Sequence, residues 1–460
     1  MTRHLSDNLP PPLSSESRPE GHPYDGYRTN QSAVSRTKPT SEYYIHRIYK
    51  TAVSKTNIKI QFQQHRPLSP LYASTKSPPF PPKKKNPPIA IDTEPIFVYN
   101  IPKELCCTQG KEIPMSALYD AIETAYAAYT AELPFSGSIR ITSRGEIVYE
   151  KSFGYANLEK QIPLTGDARF TLYSLSKPFC AIGLMKLAEA GAVDIDAHPG
   201  KYVPEAAGMP PKVTIRHLLH HTSGLPDFEQ NKDFCNAYAP AATADIRRHL
   251  SLLCDYPPYF EPETDARYCN VNFVICALII ENVSGMAYRD YMKTEVFDPL
   301  GMKNAVVSDE TMEIPDRVQG YGWVNGSMVP VGQSYNWLFG AGDILGTLDD
   351  VYCLRDAILE KKLLRPETWE TILTPSPLNS MGMGCTITDW HGRYRITHNG
   401  GHIGFRTLHI WLPEDDFDII LLSNCGFGDA RNFFAEAIYE AWYGRCGGAE
   451  AVPMDTGYAK

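Results

Sequence analysis

Residues 169–179 read Arg-Phe-Thr-Leu-Tyr-Ser-Leu-Ser-Lys-Pro-Phe, a short apolar approach followed by the start of a helix. Ser174 and Lys177 are three residues apart, so a helix places them on one face, one turn apart. A serine hydroxyl becomes a nucleophile when a base removes its proton, and a lysine amine can be that base where its surroundings lower its pKa. The N–H groups at a helix start also suit an oxyanion. This pair therefore predicts a serine nucleophile.

The spacing Ser-x-x-Lys is a weak signal by itself. It recurs at 35–38, in a proline-rich stretch, and a Ser/Lys pair on a helix is most often a plain surface feature. Other stretches supply the context: they lie at 213–226 (Val-Thr-Ile-Arg-His-Leu-Leu-His-His-Thr-Ser-Gly-Leu-Pro), 297–302 (Phe-Asp-Pro-Leu-Gly-Met), 340–350 and 398–405. With the stretch at 170–177 they make five ordered landmarks between about 135 and 425.

These landmarks resemble the class C β-lactamase, serine DD-peptidase and esterase family, in which Ser-x-x-Lys carries the nucleophile. The resemblance implies a β-lactamase/transpeptidase-like α/β (α+β) fold and a serine hydrolase that works through an acyl-enzyme on Ser174. The family's Tyr-x-Asn motif matches Tyr268 and Asn270, so Tyr268 would share the base role with Lys177 and Asn270 would orient the substrate. The same pattern at 155–157 precedes Ser174 within a predicted strand, and we discount it.

The family's third motif, Lys-Thr-Gly in typical β-lactamases, is replaced here by a histidine variant. It comprises the predicted substrate-binding residues His398, Asn399, Gly400 and Gly401, and Gly401 would add its N–H to that of Ser174 as an oxyanion hole. The register 402–404 competes, but the spacing to Phe405 favours His398. Because histidine is mostly neutral at pH 7, it captures a substrate carboxylate poorly, and the variant resembles the esterase and peptidase branches.

Predicted strands at both ends with helices between them imply one sheet assembled from both chain ends, with a helical region inserted. The resemblance implies that this sheet is antiparallel and flanked by terminal helices. The predicted helices are 116–131, 174–191, 213–221, 271–283 and 429–443; the predicted strands are 138–142, 146–149, 152–156, 394–398, 407–412 and 418–423.

Composition divides the chain unevenly. Residues 1–90 carry 14 Lys and Arg against 5 Asp and Glu, whereas the remainder carries 30 against 48, and residues 1–100 hold 15 of the 37 prolines. We therefore expect a basic tail at 1–110, either disordered or an upstream extension from a wrong start codon, a hydrolase domain at 113–446 and a short tail at 447–460. A body this acidic is a poor candidate for binding nucleic acid.

Several other sites and locations are disfavoured. Eleven scattered cysteines without a CxxC suggest reduced thiols, and we expect a cytoplasmic protein with no signal peptide, no transmembrane segment and no membrane partner. His217, His220 and His221 could suggest a metal site, but no carboxylate partner stands out. The glycines at 340–346 lack a βαβ unit, and no Gly-x-Ser-x-Gly occurs. We expect neither a metal nor a cofactor.

The resulting hypothesis is a serine hydrolase that cleaves a small ester or a D-peptide-like amide. Two alternatives stay open: a β-lactamase or D-Ala-D-Ala carboxypeptidase of the penicillin-binding type, and a sensor-type binding protein that is acylated and deacylates slowly. A scaffold that binds an anionic partner through its basic arm is a third reading. The sequence specifies neither the natural substrate nor the oligomeric state.

Overall fold

The computed structural model describes residues 115–228, 245–308, 312–332 and 338–444. The predicted tails at 1–110 and 447–460 lie outside these residues. Within them, the strands and helices follow the predicted order: strands near both ends of the described chain enclose a helical middle.

The main sheet has six antiparallel strands in the order β10-β11-β12-β13-β1-β2. Its members are β1 (Gly137–Ser143), β2 (Glu146–Phe153), β10 (Thr386–Trp390), β11 (Arg393–His402), β12 (Phe405–Leu412) and β13 (Phe417–Ser423). The two chain ends meet where β1 pairs with β13, in a register that sets Gly137 opposite Ser423. The prediction of one sheet from both chain ends is thereby confirmed.

Each face of the sheet has its own core. Terminal helices α1 (Met115–Thr130) and α10 (Ala430–Tyr443) cover one face, against alternate residues of β12 such as Leu408 and Ile410. The opposite face carries Ile396 and Trp411 and packs against the helical region. This period-two alternation is what a sheet covered on both faces requires.

The helical region is organised around one helix that is apolar on every side. Its helices are α2 (Lys177–Glu189), α3 (Ile215–Leu219), α4 (Ile246–Leu253), α5 (Asn270–Ser284), α6 (Tyr288–Tyr291), α7 (Asp298–Leu300), α8 (Leu348–Leu359) and α9 (Pro366–Leu373), with a π-helical turn at Met292–Phe297. Eleven residues of α5 are buried, and Gly285 ends it with φ 70°. A helix of this kind belongs in a core and not at a surface.

Short strands complete the described part and correct one prediction. They are β3 (Tyr155–Asn157), β4 (Ile162–Pro163), β5 (Phe170–Thr171), β6 (Val306–Val307), β7 (Tyr321–Val324), β8 (Ser327–Pro330) and β9 (Ile344–Gly346). The predicted strand at 152–156 is wrong because β2 ends at Phe153 and β3 pairs with β4 in a separate sheet. Gly154 makes the break: its φ is 78°, and a Cβ there would lie 2.7 Å from the Ser136 hydroxyl.

Among the described residues, no single helix has the length and apolar composition to cross a membrane. One pair, Asn270–Ser284 with Tyr288–Leu300, passes that test only when taken together, and it is bent by 83°.

Candidate active site

Ser174 and Lys177 meet at a tight turn that leads into a helix. Tyr173–Ser176 forms a 3₁₀ turn, and α2 begins directly at Lys177. Tyr173 has φ 48°, an uncommon conformation for a residue with a side chain, and this sharp bend leaves Ser174 half-exposed between buried neighbours. The Lys177 Nζ lies 3.0 Å from the Ser174 Oγ. The structure therefore brings the two together as the spacing predicted.

The Lys177 amine is fully buried, and three oxygens of the described residues lie within hydrogen-bonding distance of it. Besides Ser174, these are the Asn270 Oδ1 and the Ala341 carbonyl oxygen, each at 2.8 Å. Two of the three can only accept a hydrogen bond. A neutral amine would therefore donate both its N–H groups to Asn270 and Ala341, and its lone pair would point at the Ser174 hydroxyl. The same geometry also accommodates the ammonium, so the group can gain and lose a proton without moving.

Asn270 begins α5, and Tyr268 lies two residues before it, beside Lys177. The Lys177 Nζ lies 4.8 Å from the centroid of the Tyr268 ring, close enough for a cation–π contact. The Asn270 N–H donates to the Asp227 carboxylate at 2.5 Å, and Asp227 is buried. A buried carboxylate at the first turn of a helix is favoured by the N–H groups there, so Asp227 fixes the point where α5 begins.

His221 packs against Tyr268. Its ring stacks on the Tyr268 ring with centroids 4.4 Å apart, and its Nδ1 accepts from the Cys269 N–H at 3.1 Å. Its carbonyl accepts from the Arg267 N–H at 2.9 Å. Burial, and then the charge of Lys177, lower the pKa of His221 well below its usual value, so the ring is neutral. His221 therefore contacts all three residues from 267 to 269.

A short loop completes the surroundings of Lys177. Asp343 accepts from the Gly340 N–H at 2.9 Å and thereby closes the loop that presents the Ala341 carbonyl. Burial raises the pKa of Asp343 to about 7, although the Gly340 bond and the charge of Lys177 oppose this. Asp343 therefore exchanges its proton near neutral pH.

The end of β11 lies against the turn that carries Ser174. The Tyr173 hydroxyl donates to the Ile403 carbonyl at 3.1 Å, and the Thr407 hydroxyl donates to the Leu172 carbonyl at 2.8 Å. A Cβ on Gly400 would lie only 2.0 Å from the Leu172 oxygen, so glycine is required for this approach. The strand segment that contains Gly400 and Gly401 is therefore packed against the turn that carries Ser174.

His398 is a buried, neutral residue in this structure. Its Nδ1 donates to the Asn399 carbonyl at 2.6 Å, and it is only 6 % exposed. Burial, followed by the charge of Lys177, lowers its pKa from 6.5 to about 3. Its ring lines a small apolar cavity of about 20 Å³, which it shares with Trp411. The half-exposed Asn399 is its neighbour on the strand.

The three histidines that could have suggested a metal site have separate structural contacts. His217 closes a capping box with Thr214 at the start of α3, and the His220 Nδ1 lies 2.9 Å from the Met381 carbonyl. His221 stacks on the Tyr268 ring. Among the described residues, no group of three His, Cys, Asp or Glu is arranged to hold a metal ion.

Sequence reasoning missed the residues that support the predicted ones. His221, Asp227, Ala341 and Asp343 are the members of this set. His221 lies within the quoted stretch 213–226, so the landmark was visible although the contact was not. Ala341 acts through its backbone carbonyl, 164 residues from Lys177, and no side-chain pattern could have revealed it.

Comparison with known proteins shows which family this chain is similar to. The family model described as Beta-lactamase matches residues 130–440. A penicillin-binding protein of Bacillus subtilis (strain 168) is 30 % identical over 330 residues, which cover 66 % of this chain and 71 % of the relative. A D-aminopeptidase of Gluconobacter oxydans (strain 621H) is 25 % identical over 310 residues, 66 % of this chain but only 58 % of the relative. The D-amino acid amidase of Ochrobactrum anthropi SV3, solved with D-phenylalanine, is 25 % identical with a TM-score of 0.58, over 70 % of this chain and 98 % of that one.

Proposed function

The chain belongs to the beta-lactamase family of serine hydrolases, and we propose that Ser174 is its nucleophile. The observation that carries this proposal is the contact of 3.0 Å between the Ser174 Oγ and the buried Lys177 amine. Lys177 and Tyr268 form the base, Asn270 orients the substrate, and the N–H groups of Ser174 and Gly401 hold the oxyanion.

Acylation begins when Ser174 Oγ attacks the substrate carbonyl and gives its proton to the Lys177–Tyr268 pair. Negative charge develops on the former carbonyl oxygen, where two backbone donors stabilise it. As the tetrahedral intermediate collapses, the leaving alcohol or amine takes the proton from the pair, and an ester on Ser174 remains. Water then repeats the sequence: the pair removes its proton, the acyl group leaves as a carboxylic acid, and Ser174 recovers its hydrogen.

The proposed substrate class follows from the uncharged state of His398, in the stretch 398–401 that replaces the family's Lys-Thr-Gly motif. We propose a small ester or a D-peptide-like amide whose group beside His398 carries no carboxylate. The names of the relatives, D-aminopeptidase and D-amino acid amidase, favour the amide with a D-configured acyl part. The neutral His398 favours uncharged substrates over β-lactams, because it offers no cation to a carboxylate.

A fluorophosphonate probe tests the nucleophile directly. Wild type and Ser174→Ala are compared with Ser176→Ala, a matched control two residues away whose hydroxyl accepts from the Ile344 N–H. We expect labelling and p-nitrophenyl ester turnover in wild type and in Ser176→Ala, and neither in Ser174→Ala. Equal labelling of Ser174→Ala would contradict the assignment.

The time course separates turnover from one-time acylation. Steady release of p-nitrophenol beyond one equivalent supports the hydrolase. A burst of one equivalent followed by no further release would instead indicate the slowly deacylating sensor.

A further inference from the structure

The peptide unit between Gly400 and Gly401 is bonded on its far side by a guanidinium. Arg431 lies at the start of α10, and its Nη1 donates to the Gly400 carbonyl at 3.1 Å. In a trans peptide, the carbonyl and the N–H of the next residue point in opposite directions. The Arg431 bond therefore acts on the same peptide plane as the Gly401 N–H, from the opposite edge.

A second guanidinium holds the same strand end. The Arg406 Nη1 donates to the carbonyls of His402 and Phe405, each at 2.8 Å. A Cβ on Gly401 would lie 3.4 Å from the Arg431 Nη1 and 3.5 Å from the Arg406 Nη1. Both cations therefore lie beside Gly401, at ordinary van der Waals distance from the point where a side chain would begin.

Arg431 is itself held in place. Its Nε donates to the Asp429 carboxylate at 3.0 Å, and its side chain is only 11 % exposed, against 38 % for Asp429. The carboxylate accepts from the Nε of the guanidinium, which leaves Nη1 for the Gly400 carbonyl. A cation fixed in this way, and largely out of water, acts on its neighbours more strongly than one in solvent.

We propose that Arg431, supported by Arg406, is a positioning residue for the oxyanion hole: its guanidinium fixes and polarises the peptide whose Gly401 N–H receives the developing negative charge. The proposal rests on the proposed function, because it needs an oxyanion on Gly401. A hydrogen bond to a carbonyl strengthens the N–H of the same amide as a donor, and a charged donor strengthens it more. Arg431 need not touch the substrate.

The expected effect is smaller than the loss of the donor itself. Removing a direct oxyanion donor costs about 10²–10³-fold in kcat. Because Arg431 acts through that donor, we expect Arg431→Met to lower kcat for p-nitrophenyl acetate about tenfold, with little change in KM. Arg431→Lys keeps a cation but lacks the planar set of N–H donors of the guanidinium, so it should recover only part of the lost kcat.

The experiment compares these variants with Arg393→Met, a control on β11, the strand that carries Gly400 and Gly401. Arg393 pairs with Asp415 and stacks on Tyr443, away from the turn that carries Ser174. Phenylboronic acid is the second probe, because its adduct with Ser174 carries a negative oxygen. We expect Arg431→Met to weaken boronate binding by the same factor as kcat and to raise the infrared stretching frequency of the acyl-enzyme carbonyl. Arg393→Met should change neither, even if it lowers the Tm.

Two outcomes overturn the proposal in distinguishable ways. If the fluorophosphonate labels wild type but Arg431→Met matches Arg393→Met in kcat, boronate affinity and carbonyl frequency, only the role of Arg431 is refuted. If wild type is not labelled at Ser174, the proposed function fails and the role of Arg431 falls with it.

Discussion

Replacing His398 by lysine is expected to shift the enzyme toward substrates that carry a carboxylate. The wild-type imidazole is buried beside Lys177 and has a pKa of about 3, so it is neutral at pH 7. A β-lactam therefore finds no cation at this position, whereas an uncharged ester loses nothing. Wild type should accordingly turn over p-nitrophenyl butyrate in preference to nitrocefin.

The structure sets both the size and the pH range of the change. Burial and the nearby Lys177 lower the pKa of His398 from 6.5 to about 3. The same surroundings would lower the pKa of a lysine at this position below its usual value of about 10.4. Its charge is therefore more complete at pH 6 than at pH 8. A charge-assisted hydrogen bond contributes about 1.5–3 kcal/mol, which is about ten- to a hundredfold in kcat/KM.

The assay is the ratio of kcat/KM for nitrocefin to that for p-nitrophenyl butyrate, measured at pH 6 and pH 8. His398→Lys should raise the ratio at pH 6 by about ten- to a hundredfold, and much less at pH 8. His398→Gln, uncharged at both pH values, is the control and should leave the ratio near wild type. An unchanged ratio in His398→Lys at pH 6, in a protein that still labels at Ser174, would refute the reasoning.

Three further predictions concern the tail, the support of Tyr268 and acid stability. A chain beginning at Met115 should keep the Tm and esterase activity of the full chain, because the preceding composition cannot build a core; loss of soluble expression would contradict this. His221→Asn keeps an acceptor for the Cys269 N–H but loses the ring stacked on Tyr268, so kcat/KM should fall about ten- to a hundredfold and its pH profile should shift. His220→Asn, the adjacent histidine, should show neither effect. Because the folded pKa of His398 lies below its unfolded value of 6.5, its stability contribution is present above pH 6.5 and is lost toward pH 3, by about 1.4 kcal/mol per pH unit. Urea unfolding at pH 7 and pH 5 should therefore show His398→Gln losing about 2 kcal/mol less than wild type; equal losses would show that His398 does not titrate in this way.

The parts of the fold that the sequence predicted are those governed by local periodicity. The helix predicted at 116–131 is observed at Met115–Thr130, because Leu118 and Ile122 repeat at helical spacing and face the sheet. The break after Phe153 could not be predicted. It depends on the approach of Gly154 to Ser136, and two residues that meet only in the fold leave no local pattern.

The contacts of the site likewise divide into those set by residues close in sequence and those set by the packing of distant segments. Ser174 and Lys177 are three residues apart, so a single turn of chain determines their contact. Lys177 and Ala341 are brought together by the packing of a distant loop, and the contact uses a backbone oxygen that every residue possesses. For His398, the residue type alone gives the usual pKa near 6.5, and only its burial beside Lys177 lowers that value.

Lys177 also explains why the site and the fold depend on each other. A buried amine is tolerated only when its hydrogen bonds are satisfied, and here three separate chain segments satisfy them: the turn at Ser174, the start of α5 at Asn270 and the loop at Ala341. If any one of these moved away, the buried amine would lose a hydrogen-bond partner, at a cost of about 1–3 kcal/mol. The requirement that stabilises the packing of α2 against α5 therefore also fixes the amine beside the hydroxyl. A surface lysine at the same spacing from a serine has no such constraint, which is why the spacing Ser-x-x-Lys alone carries so little information.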